Sequence, residues 1–187
     1  MRLATAREAH AGVEVQLWFM DEARVGQKGR ACHRWYEKGE RPSGLVDQRF
    51  ASAWLYAAVR PASGEDVALV LPSVSAEAMT VFLRHFGEKL GPGVHAVLVL
   101  DQAGWHGAKA LKVPANLTLV ALPSYSPQLN PMERVWEYVR ERFLSHRLHQ
   151  DYDAVLEAAC RAWNRLTAET GRLQSLCAFP WITQVAS

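Results

Sequence analysis

Two aspartates in this chain come directly after apolar runs: Asp21 follows residues 13–20 (VEVQLWFM), and Asp101 follows Val94–Leu100 (VHAVLVL). Side chains at strand ends of α/β sheets leave the core yet stay rigidly held, so ligand sites form there. The plainer alternative is that each Asp begins a turn or caps a helix. A third acid, Glu133, stands in the string Asn130-Pro131-Met132-Glu133. Asn130 suits a helix N-cap and Pro131 the first helical position. Asn-x-x-Glu also matches a capping box, in which the glutamate reaches back to the N–H of the cap. Two aspartates and a glutamate, with no His or Cys at matching positions, make an all-oxygen set suited to Mg²⁺ or Mn²⁺. Such a trio can hold two ions about 3.5–4 Å apart and clamp the entering and departing oxygens of a phosphodiester displacement. Spacing leaves the plain and the catalytic readings both open.

These acids can meet only if the elements around them bring them together. Residues 13–20 read as a strand entering a buried sheet and ending at Asp21-Glu22. A short strand is expected at 33–36, and two more at 50–59 and 67–71 around the turn residues 61–64. From Ser75 to Leu90 the period becomes helical, with Met79, Phe82, Leu83, Phe86 and Leu90 in line, Ser75 as cap and Gly91-Pro92 as stop. A central strand at Val94–Leu100, a short helix at 105–112, a strand at 117–122 and helices over 131–145 and 151–167 complete the order. Down the first of those last helices Met132, Val135, Trp136, Val139 and Phe143 form the core-facing stripe, while Glu133, Glu137 and Arg140 share a neighbouring face. Strands first and an alternating second half predict an α/β fold: a mixed sheet flanked by helices. G-x-G-x-x-G, a P-loop and a G-x-S-x-G elbow are all absent, which disfavours nucleotide cradles and serine hydrolysis.

With 187 residues, 49% hydrophobic and 21% charged, the chain has one domain's worth of globular protein, expected to span 1–187. Cys32, Cys160 and Cys177 are odd in number and widely spaced, which excludes a disulfide scaffold or zinc ribbon and fits a reducing cytoplasm. No apolar run reaches membrane-spanning length, so no membrane partner is expected. Net charge is only +2, but seven basic residues lie between Arg24 and Arg49 (Arg24, Lys28, Arg30, Arg34, Lys38, Arg41, Arg49) against three acids. That stretch is either a solvated loop or one that meets phosphates.

The wording around the acids is more specific than their spacing. FMDEARVGQ, LVLDQAGWHGAKAL and LPSYSPQLNPMERVWEYVRERF resemble the three signature blocks of the DDE transposases of the mariner-like superfamily, in its bacterial insertion-sequence branch. The third block, P-x-Y-S-P-x-L-N-P-x-E-x-x-W, is the most diagnostic. The resemblance implies an RNase H-like catalytic domain, with a central mixed five-stranded sheet flanked by helices. It also implies catalysis and binding of Mg²⁺ or Mn²⁺ (two ions) by Asp21, Asp101 and Glu133. The implied activity is cleavage of DNA at transposon ends, then strand transfer by the freed 3′-OH. Asn130 matches the Asn that precedes the family's glutamate, and His106 a His soon after the second aspartate, though a helix-surface role suits that histidine equally. Ser124, Tyr125 and Ser126 are candidates for DNA contact, and Trp35 matches an aromatic on the second strand with a packing role. Arg24, Lys28, Arg30, Arg134, Arg140 and Arg142 are candidates for contacts to the DNA backbone, which position without specifying sequence.

Two details depart from the family pattern: Gln102 stands where Asn is common, and 31 residues separate Asp101 from Glu133, a short interval. The first strand begins too near Met1 for an end-reading helix-turn-helix region. That module is therefore expected as a separate partner, alongside double-stranded DNA and a homodimeric synaptic complex in the nucleoid. Two alternatives keep the fold and change the function: a remnant that only binds DNA or self-associates, and a structure-selective RNase H-like nuclease.

Overall fold

The computed structural model describes residues 2–27, 37–39, 49–102, 111–145 and 147–182. Strand β1 (Glu14–Gly26) sends Phe19 and Val25 to one core and Trp18 and Met20 to the other, as the two-residue period of a pleated strand requires. A tight turn joins β2 (Ser52–Val59) to β3 (Asp66–Leu71), with the Gly64 N–H donating to the Arg60 carbonyl at 2.8 Å. Helix α2 (Ala76–Lys89) starts where expected, the Ser75 hydroxyl accepting the Ala78 N–H at 3.1 Å, and buries Met79, Phe82, Leu83 and Phe86. Strands β4 (Val94–Leu100) and β5 (Leu117–Ala121) follow.

The five strands lie in the order β3-β2-β1-β4-β5. β1 pairs antiparallel with β2 and parallel with β4, so the sheet is mixed, as expected. Helix α2 covers one face, packing on Trp18, Met20, Tyr56, Leu98 and Leu100. The other face, with Phe19, Leu55, Ala57, Val59 and Val99, is covered by α3 (Met132–Val139), α4 (Tyr152–Thr167) and α5 (Arg172–Leu176). Burying both faces is what the continuous apolar strands demand.

Several boundaries differ from expectation for physical reasons. The helix expected over 131–145 is α-helical only through Val139. It then widens into a π-type turn over Arg140–Leu144, whose Arg140 carbonyl accepts the Ser145 N–H at 2.8 Å. Helix α1 (Arg2–Ala9) was not expected, because RLATAREA has no apolar period. Five-residue α5 is too short to show one. The strand expected at 33–36 lies outside the described residues, as does most of the helix expected at 105–112; Leu111 and Lys112 themselves are not helical. No helix among the described residues is long and apolar enough to cross a membrane.

Candidate active site

Strand β1 changes partners midway. Its first half, Glu14 to Phe19, pairs with Val94 to Val99 of β4; its second half, Phe19 to Gly26, pairs with Val59 to Ser52 of β2. Past Phe19 the side of β1 that faced β4 is no longer in the ladder. Asp21 stands just beyond that parting. It does not follow the strand, as the sequence suggested: β1 continues through it, with Asp21 opposite Ala57. Polar Asp21 and Glu22 look like a strand end in sequence, yet they are accommodated because this half pairs with β2 and no longer with β4.

The parting also fixes where Asp101 falls. The constant β1–β4 offset carries Glu14 to Val94 and Phe19 to Val99. Carried two residues further, it sets Asp101, the first residue after β4, level with Asp21. Asp101 is exposed, and the following Gln102 clips the neighbouring loop: its Nε2 donates to the Leu122 carbonyl at 2.9 Å, and its Oε1 accepts the Ser124 hydroxyl at 2.8 Å.

Alternation places the Asp21 side chain on the face of Phe19 and Val25, under α3. There the indole Nε1 of Trp136 donates to Asp21 Oδ2 at 2.9 Å. The Asp21 carboxyl is pushed up from the usual 3.8 to about 7: burial acts most, the nearby Glu22 and Glu133 carboxylates add to it, and N–H groups of Glu22 and Trp136 pull the other way. Glu133 is thus within electrostatic reach of Asp21. Glu22 belongs to the opposite face, beside Tyr56, whose hydroxyl is pushed up to about 12 by burial and then by Glu22.

What holds Glu133 near Asp21 is Asn130. Its buried side chain donates from Nδ2 to the Met20 carbonyl at 3.1 Å and accepts the Met132 N–H on Oδ1 at 3.1 Å. One amide thus joins the residue before Asp21 to the first turn of the Glu133 helix. The capping-box alternative fails on geometry: the Asn130 N–H is taken by the Pro127 carbonyl at 2.9 Å, closing a 3₁₀ turn over Pro127–Leu129, and Glu133 is exposed. Helix α3 begins at Met132 behind Pro131, so Asn130 is not its cap residue in backbone terms, although its side chain makes the capping bond.

The basic candidates are less uniform. Arg24 is exposed on β1. The Arg134 guanidinium lies 5.0 Å over the Phe179 ring, Arg140 Nε donates to the Trp136 carbonyl at 3.1 Å, and Arg142 lies 3.9 Å from Glu169. Lys28, Arg30, Trp35 and His106 lie outside the described residues. Ser126 donates to the Ser124 carbonyl at 3.3 Å, and Tyr125 is fully exposed. Sequence reasoning missed Trp136, assigning it to the core stripe; it is both core and Asp21 donor. The available signal was its fixed place three residues after Glu133.

Among the described residues no three His, Cys, Asp or Glu side chains are gathered closely enough to hold a metal ion together. The donor set nevertheless suits a hard cation. A desolvated carboxyl raised by two acidic neighbours is the environment that a divalent ion relieves, returning the group to its ionised form.

Two outcomes follow. Asn130→Ala leaves the Met20 carbonyl and the Met132 N–H without their partner and lowers stability by about 2 kcal/mol in urea titration. For Asp21 the raised pKa means that the folded chain holds more protons than the unfolded one between pH 4 and 7. Its contribution to stability is therefore complete at low pH and is lost as pH rises through 7, by roughly 4 kcal/mol in metal-free protein. In urea titrations from pH 4 to 8.5, Asp21→Asn removes this slope, and Mn²⁺ at pH 8 stabilises the wild type but not the variant.

The family model described as DDE superfamily endonuclease matches residues 16–156. An uncharacterized protein of Sinorhizobium fredii (strain NBRC 101917 / NGR234), y4pE/y4sA, is 44% identical over 129 residues, covering 69% of this chain and 96% of that protein. Among solved structures, the Mos1 transposase paired-end complex with left transposon end aligns at TM-score 0.58 and 14% identity, over 94% of this chain and 59% of Mos1. The Mos1 mariner paired end complex with Mn aligns at 0.59 and 15%, over 88% and 56%. The catalytic core domain of BIV integrase aligns at 0.51 and 17%, over 83% and 86%. The chain thus spans less than three fifths of the Mos1 transposase chains it matches. At these identities the likeness to Mos1 and the integrase is one of fold, the RNase H-like fold of transposase and integrase cores. By its family model the chain belongs to the DDE superfamily endonucleases.

Proposed function

We propose that this domain hydrolyses DNA phosphodiester bonds at transposon ends and then joins the freed 3′-OH to target DNA, with Asp21, Asp101 and Glu133 holding two Mg²⁺ or Mn²⁺ ions. The observation that carries this reading is the desolvated Asp21 carboxyl, set beside Glu133 where β1 parts from β4. When bound, the ions would neutralise charge on the phosphate and promote both attack and departure of oxygen. The Mos1 structure with Mn is compatible with such chemistry.

The chain's own residues contribute orientation. Trp136 holds Oδ2 of Asp21 and so orients the carboxyl. Asn130 sets the span from Asp21 to Glu133, and Gln102 steadies the backbone beside Asp101. The chemistry is two displacements at phosphorus: water replaces the 3′ oxygen at the transposon end, and that 3′-OH then replaces a 3′ oxygen in the target. Double-stranded DNA is the proposed partner. Pairing of two ends by two copies, and end recognition by a helix-turn-helix module, belong to the same proposal.

Cleavage of a linear duplex carrying the element's end, in Mg²⁺ or Mn²⁺, tests it. Alanine at Asp21, Asp101 or Glu133 is expected to reduce cleavage to background with the fold intact by circular dichroism, whereas Glu137→Ala, on the same helix, keeps activity. Retained nicking in all three variants overturns the mechanism. Preference for hairpin or branched duplexes over the linear end makes the domain a structure-selective nuclease instead.

A further inference from the structure

The loop between β5 and the 3₁₀ turn holds an aromatic residue in a conformation that aromatic residues avoid. Tyr125 has φ +57°, the left-handed region where Gly or Asn sits at ease and a bulky side chain is strained. It is the one non-glycine residue with positive φ among the described residues. Its side chain is 100% exposed, and no hydrogen bond or ring contact of it is found among the described residues. An unstrained glycine would serve the turn better, and a polar residue would suit the solvent better. Stability explains neither choice.

The loop around it is rigid. Pro123 and Pro127 flank it, the Ser124 hydroxyl donates to Gln102 Oε1 at 2.8 Å, and Ser126 closes back onto the Ser124 carbonyl at 3.3 Å and accepts the Leu129 N–H on its own carbonyl at 3.1 Å. Through Gln102 the loop is fastened beside Asp101, and its far end leads into the Glu133 helix. Tyr125 therefore projects into solvent from a loop that is tied beside Asp101 at one end and runs into the Glu133 helix at the other. None of the residues from Pro123 to Gln128 is charged, so the loop itself brings no cation to a phosphate. What the loop offers is a bare π-face on a fixed stem.

We propose that Tyr125 is a stacking platform for an unpaired nucleobase of DNA next to the bond being cut. This rests on the reading of the acids as a DNA-cutting centre. Splaying a base beside the scissile phosphate exposes the backbone at the cost of lost stacking, which an aromatic face replaces irrespective of base identity. Because the contact is not ionic, it is insensitive to salt, unlike the backbone contacts.

The test uses two fluorescein-labelled duplexes, one fully paired and one with a three-nucleotide single-stranded tail carrying 2-aminopurine, in metal-free buffer. With the wild type, the tailed duplex binds more tightly and its 2-aminopurine emission is quenched. Tyr125→Ala weakens binding of the tailed duplex roughly five- to hundred-fold, leaves the paired duplex unchanged and abolishes quenching, while Tyr125→Phe and Tyr125→Trp retain both. Tyr125→Gly behaves like Tyr125→Ala and melts no lower than the wild type, which separates lost contact from lost fold. Unchanged binding and quenching in Tyr125→Ala, an equal loss on both duplexes, or failure of Phe to substitute overturns the proposal. Quenching without Mg²⁺-dependent cleavage sinks the DNA-cutting centre but not the platform; cleavage without quenching does the reverse. Failure of the wild type to bind either duplex overturns both.

Discussion

A buried side-chain amide is costly unless its polar ends are bonded, and Asn130 bonds to two elements that are far apart in sequence. On one side it reaches the carbonyl of Met20, next to Asp21; on the other it receives the N–H of Met132, next to Glu133. The sheet and the helical layer could slide past each other along the apolar contacts of Phe19, Val135 and Val139, since such contacts have little direction. The Asn130 bonds remove that freedom. The backbone beside Asp21 is thus tied directly to the first turn of the helix that carries Glu133.

Trp136 works on the same interface from inside the hydrophobic layer. Its ring packs 5.7 Å from that of Trp163, and each indole donates to an aspartate of the sheet, Trp136 to Asp21 and Trp163 to Asp66 at 2.7 Å. Indoles supply apolar area and one directional donor, so they can seal a core and still orient a carboxylate. Both carboxyls are raised by burial. Only Asp21 also has acidic neighbours pushing it further, and only Asp21 lies where β1 has parted from β4. Burial alone therefore does not mark a site; burial, like-charge neighbours and an opening in the ladder coincide at one aspartate.

Much of this scaffold was legible because it follows from strong local rules. Strand β4 matches VHAVLVL at both ends, Ser75 caps its helix as expected, and the mixed sheet follows from strands that precede an alternating half. The length of β1 was not legible, since EARVG after Asp21 carries too few apolar residues to read as a strand. Its regularity comes from pairing with β2, a contact distant in sequence. The double role of Trp136 was hidden for a related reason: periodicity reports which way a residue faces, not whether its N–H meets a partner on another element. Asn130 was read as a cap from its local setting, and that local bond exists. The longer reach to Met20 depends on how α3 docks, which no window of sequence contains.

Charge was the least reliable guide to position. Arg134 stacks on Phe179, Arg140 holds the Trp136 carbonyl, and the Arg49 guanidinium donates to the carbonyls of His149 and Gln150 at 2.8 and 2.6 Å. Arg49 and Arg134 tie distant parts of the chain together, Arg49 through the planar fork of its guanidinium, while Arg140 bonds within its own helical segment. Such residues still add to the positive field of the surface, because long-range attraction depends on net charge rather than on free donors. They do not say where a phosphodiester must come to rest. In the proposed mechanism that position would be set by Asp21, Asp101 and Glu133. Under the proposed mechanism the approach of DNA would follow that field, whereas the bond to be cut would be selected beside the path from Met20 through Asn130 to Glu133.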